Sequence, residues 1–217
     1  TQPHVPALDD LKWFGCTLAR LHDREGAPFM LARSGYTGEL GYEIFCDKAH
    51  AIEVWDAVMA AGAAYGIQPM GGEALEMIRI EAGLAAAGAE FAPDVDAYEA
   101  GLGFAVDLRK SDFVGKAALE ERAAHPRRRL RGLILDCDDA PAHGAPVLAG
   151  ERQVGVVTSA ARSPMLETAI AMARIAEAHC ETGAILEIGR MGGRMKRLTA
   201  RVVDIPFVDP KRERARA

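Results

Sequence analysis

The residues predict an α+β chain in two parts: an antiparallel sheet with helices over 1–126, then a small antiparallel β-barrel over 127–217. Three observations support this. Before residue 126, short apolar runs bounded by turns alternate with segments of helical spacing. His125-Pro126 and the three arginines after it break that pattern, which places a domain boundary there. Beyond them, short apolar runs recur between Gly, Pro and Asp turns with no long helical periodicity, the spacing of a small barrel. At 217 residues and 49% hydrophobic content the chain can bury a core, and its length allows one or two domains.

Taken in order, residues 16–21 and 29–33 read as strands separated by the polar turn Asp23-Arg24-Glu25-Gly26, and 42–46 as a third. Asp47 can cap the helix over 49–65, where Ile52, Trp55, Val58 and Met59 recur at helical spacing. This assigns Trp55 to the core, and Gly66 stops the helix. A second helix over 72–82 sets Leu75, Ile78 and Ala82 on one stripe with Arg79 beside it. Arg79 can then anchor the fold through Glu76 or Glu81, a role preferred here to ligand contact. Asp94 and Asp96 lie in Pro-Asp-Val-Asp, where short acids form turns. A third helix spans 113–124, and strands follow at 130–136, 146–148, 153–159, 170–175, 184–188 and 195–203. Gly189 to Arg194 lacks the Gly-Lys-Ser/Thr ending of a nucleotide loop and is read as a hairpin turn.

The richest segment chemically is Ser34-Gly35-Tyr36-Thr37-Gly38-Glu39-Leu40-Gly41-Tyr42-Glu43-Ile44. Its glycines let the backbone approach a flat ligand closely, and Tyr36 and Tyr42 supply ring faces. Period-two geometry sends Glu43 to the opposite face from Ile44. A carboxylate among Tyr42, Ile44 and Phe45 is costly to bury unless donors meet it, and adjacent N–H groups on a heterocycle would do so in pairs. A glycine-rich hairpin with a solvated Glu43 is the plainer reading of the same residues.

This segment resembles the Ser-Gly-Tyr-Thr-Gly-Glu-x-Gly-x-Glu signature of the glycine cleavage T-protein (aminomethyltransferase) family. The resemblance continues through Arg79-Ile80-Glu81-Ala82-Gly83-Leu84, Glu99-Ala100-Gly101-Leu102-Gly103-Phe104, Asp112-Phe113-Val114-Gly115-Lys116 and Gly155-Val156-Val157-Thr158-Ser159 with Ser163-Pro164. It implies the C-terminal part of the family's folate-binding body, followed by its C-terminal barrel. It also implies tetrahydrofolate as cofactor, with Tyr36 contacting the folate and Glu43 gripping the pterin. Arg79 is the third candidate cofactor-binding residue. The family's further folate-contacting arginine falls on Leu75, and the Ala-Leu-Glu-x-x-Arg-x-Glu wording is closer to the folate domains of sarcosine and dimethylglycine oxidases or dehydrogenases. The implied donor is a small methylated or aminomethyl compound, and the implied protein partner a lipoyl carrier protein or a flavoprotein portion. A tetrahydrofolate-dependent demethylase, or a folate-binding module without activity of its own, remains open. The family's catalytic aspartate precedes the position of Thr1, so no catalytic residue is assigned. A portion of a longer family member, inactive alone, is expected.

Composition narrows the classes further. A net charge of −5 supplies no general basic field for nucleic acid. Arg127–Arg129 and the tail from Lys211 to Arg216 read as solvated runs. No apolar run approaches the ~20 residues of a membrane span. Cys16, Cys46, Cys137 and Cys180 and the six histidines are scattered without ligand spacing. They indicate reduced thiols in a cytoplasmic, reducing setting and no metal. Thr158, Ser159 and Ser163 either line a ligand channel or serve their turns.

Overall fold

The computed structural model describes residues 8–190 and 196–216, which divide into two compact units: one within Thr1–Leu75 and Lys211–Ala217, the other Glu76–Pro210. The hairpin turn read at Gly189 to Arg194 lies largely outside the described residues. An antiparallel sheet with helices and a closed antiparallel barrel are both present, as the fold class predicts, while the two compact units divide between Leu75 and Glu76 and not at residue 126.

In the first unit, β1 (Cys16–Arg20), β2 (Pro28–Ala32) and β3 (Glu43–Cys46) form an antiparallel sheet in that order. The β1–β2 turn is built by Asp23, whose carboxylate accepts from the backbone N–H groups of Glu25 and Gly26 at 2.8 and 2.9 Å. Asp47 accepts from Ala49 N–H at 2.8 Å and caps a short 3₁₀ turn, Lys48–His50, that leads into α1 (Ala51–Gly62). Gly66 ends the helical run with φ 73°. Ala19, Leu21, Phe29, Leu31 and Val54 form the core, with Ala57 and Val58 packed on it. Trp55, expected inside, is 58% exposed, and Ile52 is 77% exposed. The physical reason is that α1 carries two apolar stripes. Val54, Ala57 and Val58 recur at i, i+3 and i+4 and meet the sheet, so the stripe beginning at Ile52 and Trp55 turns outward.

In the second unit, six strands close into an antiparallel barrel: β4 (Arg128–Leu135), β5 (Pro146–Ala149), β6 (Arg152–Ser163), β7 (Thr168–Ala176), β8 (Ile185–Arg190) and β9 (Lys196–Val203). Their order is β4-β7-β6-β5-β8-β9, with β4 pairing β9 to complete the ring. Leu133, Leu135, Ala171, Ala173 and Ile175 alternate inward with Val147, Val157, Ile188 and Val202. The opposite faces of β4 and β7 are buried too. Leu130, Ile170 and Met172 pack with Ile80 from the end of α2 (Gly72–Glu81), and Met77, Ile134 and Phe207 join them. Gly132 leaves room for Phe207, because a Cβ there would lie 2.8 Å from its ring.

α2 ends one residue earlier than predicted, and its last turn, Arg79, Ile80 and Glu81, is wholly buried where a stripe through Leu75 and Ile78 was expected. α3 (Lys116–Ala124) starts after Gly115, which stands at φ 88°. Asp96 accepts from the N–H groups of Tyr98 and Glu99, both at 2.9 Å, and so forms the turn read from the sequence. The arginine runs are largely exposed, as read from the sequence, and also make ion pairs: Arg128 with Glu99 at 2.9 Å, Arg129 with Glu177 at 2.6 Å and Arg214 with Glu39 at 2.9 Å. All four cysteines are free thiols. Burial pushes the Cys180 thiol up, and the charge of Glu177 adds to it. Among the described residues no helix is long and apolar enough to cross a membrane.

Candidate functional site

The segment joining β2 to β3 is a loop with a narrow neck. A Cβ on Gly35 would meet the Gly41 backbone at 3.7 Å, and one on Gly41 would meet the Ser34 carbonyl at 3.4 Å, so the two ends lie against each other. Between them Gly38 takes φ 77°, and Thr37 Oγ1 accepts from Glu39 N–H at 3.2 Å. Tyr36 is half-buried in this loop and Tyr42 is exposed beside it.

Glu43 opens β3. Ser34 Oγ donates a short hydrogen bond to Glu43 Oε2, which pins the carboxylate to the start of the loop. The other carboxylate oxygen accepts no hydrogen bond among the described residues. Strand register defines what surrounds it. Cys16 pairs with Ala32 and Ala32 with Glu43, while Leu18 pairs with Met30 and Met30 with Phe45. Opposed residues share a face, so Glu43 stands at the edge of an apolar shelf of Leu18, Met30 and Phe45. Leu18 is 75% exposed and Phe45 51%. Glu43 is exposed, as in the plainer of the two sequence readings, because the opposite face of the sheet is the one that packs on α1.

Arg79 belongs to the second unit and sits among protein groups at 1% exposure. Its Nε donates to Glu76 at 3.0 Å, and its Nη2 donates to the other Glu76 oxygen and to Ser159 Oγ, the latter at 2.6 Å. Nη1 donates to Glu90 at 2.9 Å and to the Leu84 carbonyl at 3.1 Å. Of the two acids offered by the sequence, Glu76 is the partner. Glu81 instead accepts from Ser163 Oγ and, at 3.1 Å, from Met165 N–H. Glu90, fully buried, was missed, because a residue eleven positions on in an irregular segment has no periodic signal. Thr158 donates to the Met172 carbonyl at 3.0 Å, and Ser159 and Ser163 are engaged as above, so all three hydroxyls serve packing and turns. Ser34, quoted within the motif, was not singled out as the residue that orients Glu43; nine positions of separation hide the pair.

A glycine loop leading into an antiparallel sheet with one exposed apolar face, followed by a closed six-stranded barrel, defines a two-part α+β protein. The chain belongs to the glycine cleavage T-protein family: residues 6–110 match the GCVT N-terminal domain and residues 128–209 the glycine cleavage T-protein C-terminal barrel domain. It is 49% identical over 219 residues to the trimethylamine-oxide aldolase of Ruegeria pomeroyi, a match spanning 100% of this chain and 28% of that protein. The aminomethyltransferase of Saccharopolyspora erythraea is 43% identical over 185 residues, 84% of this chain and 50% of its own length. That of Listeria monocytogenes is 41% identical over 202 residues, 92% and 53% respectively. The crystal structure of the glycine cleavage system aminomethyltransferase T from Bartonella henselae is similar with a TM-score of 0.76 and 28% identity, covering 83% of this chain and 50% of that one. The chain spans about half the length of the aminomethyltransferases it matches.

Proposed function

We propose that this chain supplies the tetrahydrofolate-holding surface of a one-carbon transferase. One observation carries the reading: Glu43 has one oxygen held by Ser34 and the other without a partner among the described residues, at the rim of the Leu18, Met30 and Phe45 shelf. A flat heterocycle with an amino edge fits such a surface, its face against apolar side chains and its N–H groups toward the carboxylate. Tetrahydrofolate, when bound, supplies the nitrogen that receives the one-carbon unit. Glu43 orients it, Tyr36 adds a ring face, and Arg79 acts at a distance by fixing α2 to the barrel. No residue here is assigned a proton transfer.

Titration of the protein with 5-formyltetrahydrofolate tests this. Glu43→Gln keeps the shape but loses the charge assistance, and should cost about 1–3 kcal/mol of binding, roughly 5- to 150-fold in dissociation constant. Equal affinity of the two proteins, or binding by neither, removes the assignment.

A donor is favoured by the comparisons. The match to the trimethylamine-oxide aldolase extends over the whole chain at higher identity than the two aminomethyltransferases. We infer an N-methylated amine oxide of that kind as the one-carbon source, its N–O oxygen leaving as water so that the methyl carbon reaches the methylene level without an outside oxidant, in preference to an aminomethyl group on a lipoyl carrier protein. The intact protein should then form methylenetetrahydrofolate from trimethylamine oxide and not from an aminomethylated lipoyl carrier; the opposite outcome restores the carrier.

A further inference from the structure

A cleft of about 470 Å³ lies entirely within the barrel unit. It forms where β4 and β6 begin and β7 ends: Arg128 is opposite Ala176, Gly155 and Val156 of β6 pair with Ile175 and Arg174 of β7, and Arg152 and Gln153 pair with β5. The 3₁₀ turn Glu177–His179 folds over its margin. Gly155 forms part of the wall because β6 and β7 approach closely there, and a Cβ would stand 2.6 Å from the Arg174 carbonyl.

The charge of this cleft is opposite to that of the protein. The chain carries a net −5, yet the lining includes Arg128, Arg152, Gln153 and His179 and no carboxylate. The nearby acids are already engaged, Glu99 by Arg128 and Glu177 by Arg129. Arg152 is exposed, and its side chain makes no hydrogen bond or ion pair among the described residues. A guanidinium without an acid, beside a second guanidinium and an imidazole, presents several N–H donors toward one space. Val154, Val156 and Ala176 make the remaining wall apolar.

We propose that this cleft is a binding site for a small anionic molecule, one bearing a carboxylate or phosphate group held by Arg152 with His179 and Arg128. Its volume falls within the usual range of small-molecule pockets, ~300–1,000 Å³, so a group larger than the bare anion fits. The site shares no residue with the Glu43 shelf and does not depend on folate binding.

The test is an amide NMR titration of the full 217-residue chain with inorganic phosphate and, separately, with succinate, each compared with potassium chloride at equal ionic strength. The Gly155, Val156, Ala178 and His179 signals should shift saturably with at least one probe. Arg152→Gln should raise the dissociation constant about tenfold, His179→Gln less, and Glu43→Gln not at all. Saturation by phosphate alone assigns a phosphate-bearing ligand, by succinate alone a carboxylate-bearing one, and by both the shared oxyanion chemistry. Shifts reproduced by chloride, no saturable shift with either probe, or an Arg152→Gln constant equal to the parent's would overturn the proposal.

Discussion

Arg79→Met is expected to destabilise the barrel unit by about 3–5 kcal/mol, the range for breaking a buried ion pair by removing one partner. Glu90 is fully buried and is held by Arg79 at 2.9 Å and by the Ala86 N–H at 2.9 Å. Its second oxygen has no partner. Without the guanidinium the carboxylate keeps a single neutral donor in a setting that excludes water. Ser159 and the Leu84 carbonyl lose a donor as well. The Glu76 contact contributes little to this figure, because that side chain is half exposed and solvent screens it. The double variant Arg79→Met, Glu90→Leu should recover a substantial part of the loss, since an apolar pair of similar volume often replaces a buried ion pair without penalty. Urea unfolding followed by circular dichroism reads both, and a coupling energy within ~0.5 kcal/mol of zero would refute the account.

Leu133→Ala should rank beside it, costing about 2–5 kcal/mol through lost burial and the cavity left behind. Leu133 is fully buried inside the barrel, with Ala171 and Val202 opposite it on the neighbouring strands. Small alanines on β7 already line this interior, which limits how far the walls can collapse into the gap. For a chain of this size each kcal/mol moves the melting temperature by roughly 2–4 °C. Ile52→Ala on the exposed stripe of α1 is the control and should stay within about 0.5 kcal/mol of the parent. Equal losses at the two positions would mean that the inward face of β4 has been misassigned.

The elements were legible because each carries its own local signal. Short apolar runs between turns marked β4 and β7, and Asp47 and Gly66 bounded the helical run, whereas α3 begins at Lys116, three residues after the expected start at 113, because Gly115 at φ 88° precedes it. The choice between two faces was not legible. Ile52 and Trp55 are as apolar as Val54 and Val58, and helical period alone does not say which stripe meets the sheet. The same limit applies at the candidate site. Period two places Glu43 and Phe45 on one face of β3, but only strand register shows that Leu18 and Met30 extend that face and that it is open. Arg79 could be read as a fold anchor with Glu76 or Glu81 as its partner, both within three positions on the same helix. Glu90 and Ser159 lie on other segments and could not be named.

What the sequence determined by itself was the two-part α+β architecture, the glycine loop before β3 and the family whose wording that loop shares, since all of these are written in short-range pattern. The tertiary structure decided which apolar faces are covered, which acids hold Arg79 and where an acid-free cleft opens on the barrel. Those depend on pairings between strands and helices far apart in the chain, and burial, charge compensation and access to a ligand arise only when such distant groups are brought within contact distance.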